Sequence, residues 1–150
     1  MDIIKFQYNE DYEYFKNLLC SSNELLEKYS SFFDFHAPKI KRMEFNKIRN
    51  KVLKDLINSY GKRCMLKYNG KCDINSGFVI DHLIPLSSNK LNKKLRKMLP
   101  IKGKKVLTQS FGSNNLDNLI ISCKKCNSYK KHKFLERKHI QQILKIKNQY

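Results

Sequence analysis

The chain lacks the two sequence features that would tie it to a membrane or a secretory route. A transmembrane helix needs about 20 consecutive apolar residues, and the sequence has no apolar run approaching that length. Its first residues, Met-Asp-Ile-Ile-Lys, lack the charged and then apolar profile of a secretory signal. We therefore expect a soluble, cytoplasmic protein with no membrane partner.

The cysteines do not suit a disulfide framework. There are five of them, an odd number, and unpaired thiols are typical of proteins from reducing compartments. Cys20 lies on the apolar side of a helical pattern and is expected to pack in a core. The other four all follow residue 60 and are candidates for a metal site: Cys64, Cys72, Cys123 and Cys126.

Acidic residues are scarce in the second part of the chain. Residues 1–60 hold 10 Lys and Arg against 9 Asp and Glu, a net charge of +1, whereas residues 61–150 hold 21 against 4, a net of +17, which together give +18. A compositional bias toward lysine would act on both parts. Because such a field opposes folding, the asymmetry indicates a polyanionic partner, and nucleic acid is the natural one.

Residues 1–60 show no pattern typical of chemistry. Apolar side chains recur there at helical spacing, and Gly61 follows the last helix as a stop signal. The length of 150 residues fits one domain with a small extension. We expect residues 1–60 to form a helical extension that packs on a domain formed by residues 61–150.

Four thiols are spaced so that they can hold one ion. Cys123 and Cys126 form a C-x-x-C pair, and Cys64 and Cys72 flank a seven-residue loop containing the turn signal Asn69-Gly70. Four thiolates are the composition of a closed structural zinc site. The alternative is that Cys64 or Cys72 is merely buried.

Two short apolar runs predict strands that carry polar residues at their ends. Residues 78–82 end in Asp81-His82, before a proline that cannot continue a strand. Residues 119–122 form the second run, and Asn118 and Asn127 bracket it and the C-x-x-C pair. A carboxylate, an imidazole and two carboxamides at the ends of paired strands can bind a cation and move a proton.

Between about residues 63 and 131 the chain resembles the HNH nucleases, also called His-Me finger or ββα-metal nucleases. The resemblance is carried by an ordered set of elements: Cys64 and Cys72, Asp81-His82 with Ile84-Pro85, Asn118-Leu119, Cys123-x-x-Cys126-Asn127, and then Lys130 or Lys131. The chain departs from the family in a C-x7-C first pair, in Asn127 where histidine is common, and in a longer segment between His82 and Asn118.

The resemblance implies a role for each residue. His82 would be the general base, which suits an imidazole with an ordinary pKa of about 6.5. Asn118 would support the loop that orients it. Asp81 and Asn127 would ligate one catalytic divalent cation, for which Mg²⁺ is the expected ion, while the thiolates hold a separate zinc.

A basic insertion, about residues 86–117, separates the two strands. Residues 90–105 contain eight Lys and Arg and no acid, with leucines at helical spacing, which predicts a short basic helix. It is expected to contact phosphates, although a solvated loop is the alternative. The predicted nucleic-acid contacts are Lys93, Lys94, Arg96, Lys97, Lys104, Lys105, Lys130 and Lys131. Beyond Asn127, residues 128–150 predict a C-terminal helix.

Together these patterns predict an α+β, mainly helical protein. Its core would be a ββα-metal unit with a two-stranded antiparallel hairpin and a four-cysteine zinc knuckle. The expected function is a metal-dependent DNA endonuclease of a restriction, phage or mobile-element system, with a homodimer if it cuts palindromic sites. A non-catalytic zinc-stapled nucleic-acid-binding module and a nuclease acting on RNA remain alternatives. The first of these would leave Asp81-His82 and the flanking asparagines without a purpose.

Overall fold

The elements of the chain follow from a computed structural model, which describes residues 6–20, 26–97, 107–130 and 134–148. Within these ranges lie five α-helices and four β-strands: α1 Asn9–Leu19, α2 Pro38–Tyr60, β1 Phe78–His82, β2 Ser87–Ser88, α3 Lys90–Leu95, β3 Gln109–Ser110, β4 Leu119–Cys123, α4 Lys124–Lys130 and α5 Arg137–Lys147. Short 3-10 helices occur at Leu26–Phe32, Ile74–Ser76 and Leu116–Asn118. The predicted α+β, mainly helical class is confirmed.

Helix α2 is the longest element, and its ends are set by two residues with special backbones. Pro38 occupies its first turn, where a missing N–H costs nothing. Gly61 ends it with a positive φ of 82°, a conformation that glycine adopts without strain. Between them, Phe45, Val52 and Leu56 turn one side of the helix toward the core.

The predicted antiparallel hairpin is present. Strand β1 pairs with β4 so that Phe78 lies opposite Cys123 and His82 lies opposite Leu119. All five residues of β4 are buried, because α2 and α4 both contact this strand. Helix α4 begins directly after β4 and contacts both strands. Strands β1 and β4 and helix α4 are therefore in mutual contact around the residues predicted to be functional.

The segment between β1 and β4 forms a second, smaller strand pair that the sequence did not predict. Strand β2 pairs antiparallel with β3, and α3 lies between them in the chain. Gly112 then passes close to the loop after β1, where its N–H donates to the Pro85 carbonyl at 2.8 Å. A Cβ at position 112 would lie 2.0 Å from the Ile84 oxygen, so only glycine permits this approach.

The predicted C-terminal helix over residues 128–150 is wrong in its continuity. Helix α4 ends at Lys130, and α5 begins only at Arg137. Glu136 has an extended backbone, with φ −74° and ψ 155°, and Leu135 is buried in the core. Leu135 therefore packs in the core just before α5 begins, and α5 contacts α1. Residues 131–133 are outside the described part.

A continuous core joins the two parts of the chain. Buried apolar side chains come from α1, α2, the hairpin and α5, including Phe15, Leu56, Ile120, Ile140 and Ile143. Helices α1 and α2 therefore share their packing with the hairpin that carries the candidate site. Among the helices that the structure describes, none combines the length and apolar character needed to cross a bilayer.

Candidate functional site

Four cysteines converge beneath the hairpin. The Sγ atoms of Cys64, Cys72, Cys123 and Cys126 all lie within 4.8 Å of one another. Zinc–sulfur bonds of about 2.3 Å place tetrahedral sulfurs roughly 3.8 Å apart, and the Cys123 and Cys72 sulfurs are 3.9 Å apart. The predicted four-thiolate set is therefore assembled, and its geometry fits a metal ion such as zinc.

Backbone N–H groups surround these sulfurs. Donor nitrogens lie 3.3–3.4 Å from three of the four Sγ atoms: Lys67 N from Cys64, Tyr68 N from Cys126, and both Asp73 N and Cys126 N from Cys123. Such donors favour the thiolate over the thiol, since they solvate its negative charge. The loop between Cys64 and Cys72 thus orients donors toward the cluster and also supplies two of its sulfurs.

The thiols of the cluster cannot all ionise by themselves. Burial opposes the Cys123 thiolate, but N–H groups of Cys126 and Asp73 outweigh it and lower the pKa of Cys123 to about 6. Burial and the neighbouring Cys123 and Cys64 sulfurs instead raise the pKa of Cys126. A divalent cation removes this conflict, because it compensates the mutual repulsion of the thiolates.

His82 lies at the end of β1 in a half-buried position. Its ring packs edge-on against Phe45, with centroids 4.7 Å apart. Its Nε2 lies 2.9 Å from Oδ1 of Asn114. Burial lowers the pKa of His82 below its ordinary value and outweighs the hydrogen bond with Asn114, which acts in the opposite direction. Burial therefore favours the neutral imidazole, which is the form that can accept a proton.

Asn118 is fully buried and clamps the loop that follows His82. Its Oδ1 accepts from the Ile84 N–H at 2.7 Å, and its Nδ2 donates to the Ile84 carbonyl at 3.0 Å and to the Ser113 carbonyl at 2.8 Å. Its own carbonyl accepts from Leu83 N at 2.8 Å. Asn118 directly precedes Leu119, the partner of His82 in the strand pair. Its amide thus ties the residues just after β1 to Ser113, near the end of the connection that leads to β4.

Asp81 is paired with Lys130, an arrangement the sequence did not predict. Lys130 Nζ lies 2.6 Å from Asp81 Oδ2 in an ion pair that lacks the angle of a regular hydrogen bond. The same ammonium donates a hydrogen bond to the His82 carbonyl at 2.9 Å. The Lys130 side chain is only 8% exposed. The ammonium is thus buried beside the candidate site, and the nucleic-acid contact predicted for Lys130 stays a prediction.

Asn127 lies on α4, three residues before Lys130. Residues three apart on a helix lie on the same face, and Lys130 contacts Asp81 from that face. Asn127 is half-buried. Asn127 thus lies on the side of α4 that also carries Lys130.

A cleft of about 340 Å³ opens beside these residues. Its lining includes Asp81 and His82 from β1 together with three cationic side chains, which are Arg42, Lys90 and Lys130. This volume is within the range of ligand-binding clefts, about 300–1,000 Å³. Arg42 reaches it from α2 and donates to Ser87 Oγ at 2.9 Å. The cleft combines a neutral imidazole, a carboxylate and positive charge, which suits an anionic substrate.

The basic residues predicted to contact nucleic acid have different surroundings. Lys93, Lys94 and Lys97 are exposed on and just after α3. Arg96 instead donates to Asp11 at 2.9 Å and to Gln109 at 2.7 Å, with its side chain 14% exposed. The Arg96 guanidinium therefore holds α1 to the insertion, and its predicted phosphate contact stays a prediction. Lys104, Lys105 and Lys131 lie outside the described residues.

Three residues near the site were missed by sequence reasoning. Lys41 is buried and donates from Nζ to the carbonyls of Asp34, Leu86 and Gly112, at 2.6–3.0 Å. Burial lowers its pKa to about 8. Arg42 lines the cleft and Asn114 contacts His82. A lysine or arginine on α2 carries no signal of its partner, and Asn114 lies in the insertion, where only basic residues were predicted to have a function.

Comparison of the chain with models of protein families, with curated proteins and with solved structures finds no match.

Proposed function

We propose that this protein is a metal-dependent endonuclease that hydrolyses DNA phosphodiester bonds. The observation that carries the proposal is the cleft in which Asp81 and His82 meet Arg42, Lys90 and Lys130. A phosphodiester is an anion, so cationic walls would bind it. A neutral imidazole beside it can activate the attacking water. The net charge of +17 over residues 61–150 extends the same preference across the molecule.

In the proposed reaction His82 acts as the general base. It takes a proton from a water molecule while the water oxygen forms a bond to phosphorus. The bond from phosphorus to the 3′ oxygen breaks in line with this attack, and the leaving oxygen takes a proton from solvent. A general base of this kind typically contributes ~10²–10⁴-fold to the rate. The lowered pKa of His82 keeps the base form populated at neutral pH.

A catalytic divalent cation would be held by Asp81 and Asn127. Carboxylate and carboxamide oxygens are ligands that Mg²⁺ accepts, and it retains water on its other positions. Such an ion would neutralise the charge that develops on the scissile phosphate and the leaving oxygen. This would make the hairpin and α4 a ββα-metal core, because its ligands lie at the end of β1 and on α4.

The four cysteines would hold a separate, structural zinc ion. A site with four protein thiolates has no open position for substrate, so its role is to fold the chain. It would join the 64–72 loop to β4 and α4, which carry the other ligands. The soft thiolates would then bind zinc, while the hard oxygen ligands of Asp81 and Asn127 would bind the catalytic ion.

DNA is the proposed substrate, in a restriction, phage or mobile-element setting, and a homodimer would suit cleavage of palindromic sites. Supercoiled plasmid and a structured RNA, each with and without Mg²⁺, test this directly. The parent protein should relax or linearise the plasmid only with the ion. His82→Ala should be inactive yet bind DNA equally well. His36→Ala, at an exposed histidine paired with Asp34, is the matched control and should remain active.

Each of the other outcomes would support a different function or mechanism. Binding to both substrates without cleavage by the parent would support a zinc-stapled binding module. Cleavage of the RNA with an intact plasmid would make the protein a ribonuclease. Near-parental cleavage by His82→Ala would remove His82 from the mechanism.

A further inference from the structure

We propose that Asn114 is a positioning residue that fixes the proton of His82 on Nε2 and so makes Nδ1 the basic nitrogen. The catalytic consequence rests on the proposed nuclease function. The assignment of the proton itself rests only on the hydrogen bonds around Asn114, so the two can be tested separately.

The orientation of the Asn114 amide is settled by its other partner. One end of the amide lies 2.8 Å from the carbonyl oxygen of Lys41. A carbonyl oxygen can only accept a hydrogen bond, so the amide group facing it must be the donor, Nδ2. The opposite end, facing His82, is therefore Oδ1. The reversed orientation would bring two acceptors together at 2.8 Å.

This orientation determines the tautomer of His82. Oδ1 of Asn114 lies 2.9 Å from His82 Nε2 and has no proton to donate. A hydrogen bond over that distance requires a proton on Nε2. In a neutral imidazole the other nitrogen, Nδ1, then carries the lone pair. A proton taken from water would add to Nδ1, and the resulting imidazolium would keep its Nε2–H bond to Asn114.

The amide is itself held by a rigid backbone. The Lys41 carbonyl that accepts from Asn114 belongs to α2. The buried ammonium of the same residue donates to Leu86 and Gly112, on the two sides of the connection between β1 and β4. Lys41 therefore fixes the loop that carries Asn114 as well as the amide. Through this contact helix α2 would take part in orienting the catalytic base.

A purely structural role for Asn114 makes a different prediction. In that case only the donor to Lys41 matters, because it ties the loop to α2. Asn114→Leu and Asn114→Asp both lose this donor and would be equally impaired. If Asn114 positions His82, the acceptor matters instead. Asn114→Asp keeps an acceptor oxygen and Asn114→Leu does not, so aspartate should restore part of what leucine loses.

The first measurement is ¹⁵N NMR of the imidazole in the parent, Asn114→Asp and Asn114→Leu proteins, and it needs no substrate. We expect His82 to carry its proton on Nε2 in the parent, with slow exchange of that proton with water. Slow exchange should survive in Asn114→Asp and disappear in Asn114→Leu. Asn58→Asp, an exposed position on α2, controls for the added charge and should resemble the parent.

The second measurement is steady-state cleavage by the same four proteins. Asn114→Leu should reduce kcat on the order of 10- to 100-fold, as is typical when the orientation of a functional imidazole is lost. Its KM should be unchanged, because Asn114 is assigned no substrate contact. Asn114→Asp should fall between the parent and Asn114→Leu.

The inference is overturned by a parent protein with the proton of His82 on Nδ1, or by equal impairment of the aspartate and leucine variants. If the parent shows the Nε2 proton in slow exchange but cleaves no nucleic acid, the proposed function fails while the positioning contact stands.

Discussion

Lys130 places its ammonium 2.6 Å from Asp81 Oδ2 and is also hydrogen-bonded to the His82 carbonyl. One carboxylate oxygen at the candidate catalytic site therefore already faces a cation that belongs to the chain. A divalent ion ligated by Asp81 must share the carboxylate with this ammonium or displace it. The pair thus makes ion binding at Asp81 sensitive to a residue on α4.

Lys130→Met should lower the Mg²⁺ concentration that supports half-maximal cleavage. Methionine keeps most of the buried stem but removes the competing charge. Two unit charges about 4 Å apart interact by about 4 kcal/mol at an effective dielectric of 20, and screening reduces this. We expect a shift on the order of tenfold, measured by Mg²⁺ titration of plasmid cleavage. Lys125→Met, exposed on the same helix, is the control. A higher Mg²⁺ requirement in Lys130→Met would show that the ammonium assists the ion.

The hairpin and the cysteine cluster were predictable because their signals are local. A β-rich apolar run ending in Asp81-His82 predicts β1, and C-x-x-C spacing places Cys123 and Cys126 within one turn. The positions of Lys130 and Arg96 were not predictable in this way. A basic side chain in a basic segment is expected to face solvent, and only the tertiary fold brings Asp81 and Asp11 to these two residues.

Zinc should be present at one ion per chain, and its removal should unfold the protein rather than merely inhibit it. Structural zinc contributes about 10–16 kcal/mol in zinc-finger peptides, and the cluster joins the 64–72 loop to β4 and α4. Elemental analysis measures the content, and circular dichroism during chelation measures the fold. A stable, zinc-free protein would contradict this expectation.

Cys64→Ser and Cys72→Ser should each reduce zinc content and stability, since each removes one Sγ from the cluster. Cys20→Ala is the matched control, because Cys20 is a buried cysteine outside the cluster. It should retain one zinc ion per chain.

Cleavage should fall on the acid side with a midpoint below about pH 6.5, the ordinary pKa of histidine. Burial lowers the pKa of His82, so the base persists to lower pH than an exposed histidine would allow.

The same pKa shift affects stability, because the folded state binds fewer protons at His82 than the unfolded chain does between the lowered pKa and about 6.5. Stability from this group is present above about pH 6.5 and declines as the pH falls through the lowered pKa. Profiles of kcat and of urea unfolding against pH measure both effects, and an acid limb centred above the ordinary histidine pKa would refute the assignment.

The contacts that orient His82 could not be inferred from sequence for a related reason. Asn114 is 32 residues from His82, and its other partner, Lys41, is 73 residues away on α2. Sequence spacing predicts contacts within one helix or one turn, but it does not predict which carbonyl an asparagine meets across the fold. The close approach of Gly112 to the loop after β1 is likewise set by tertiary packing.

The basic insertion should separate into one residue that holds the fold and three that bind DNA. Arg96 forms a buried ion pair with Asp11, which is only 1% exposed, and removing one partner of such a pair typically costs about 3–5 kcal/mol. Arg96→Ala should therefore lower the free energy of unfolding, while the salt dependence of DNA binding by the folded protein stays unchanged.

The triple variant Lys93→Ala, Lys94→Ala, Lys97→Ala should behave in the opposite way. Its stability should be nearly parental, but the slope of log affinity against log salt should flatten by up to ~0.9 for each lysine that binds a phosphate in the parent. Urea unfolding and binding at three salt concentrations distinguish the two classes, and a parental slope in the triple variant would show that α3 faces solvent when DNA is bound.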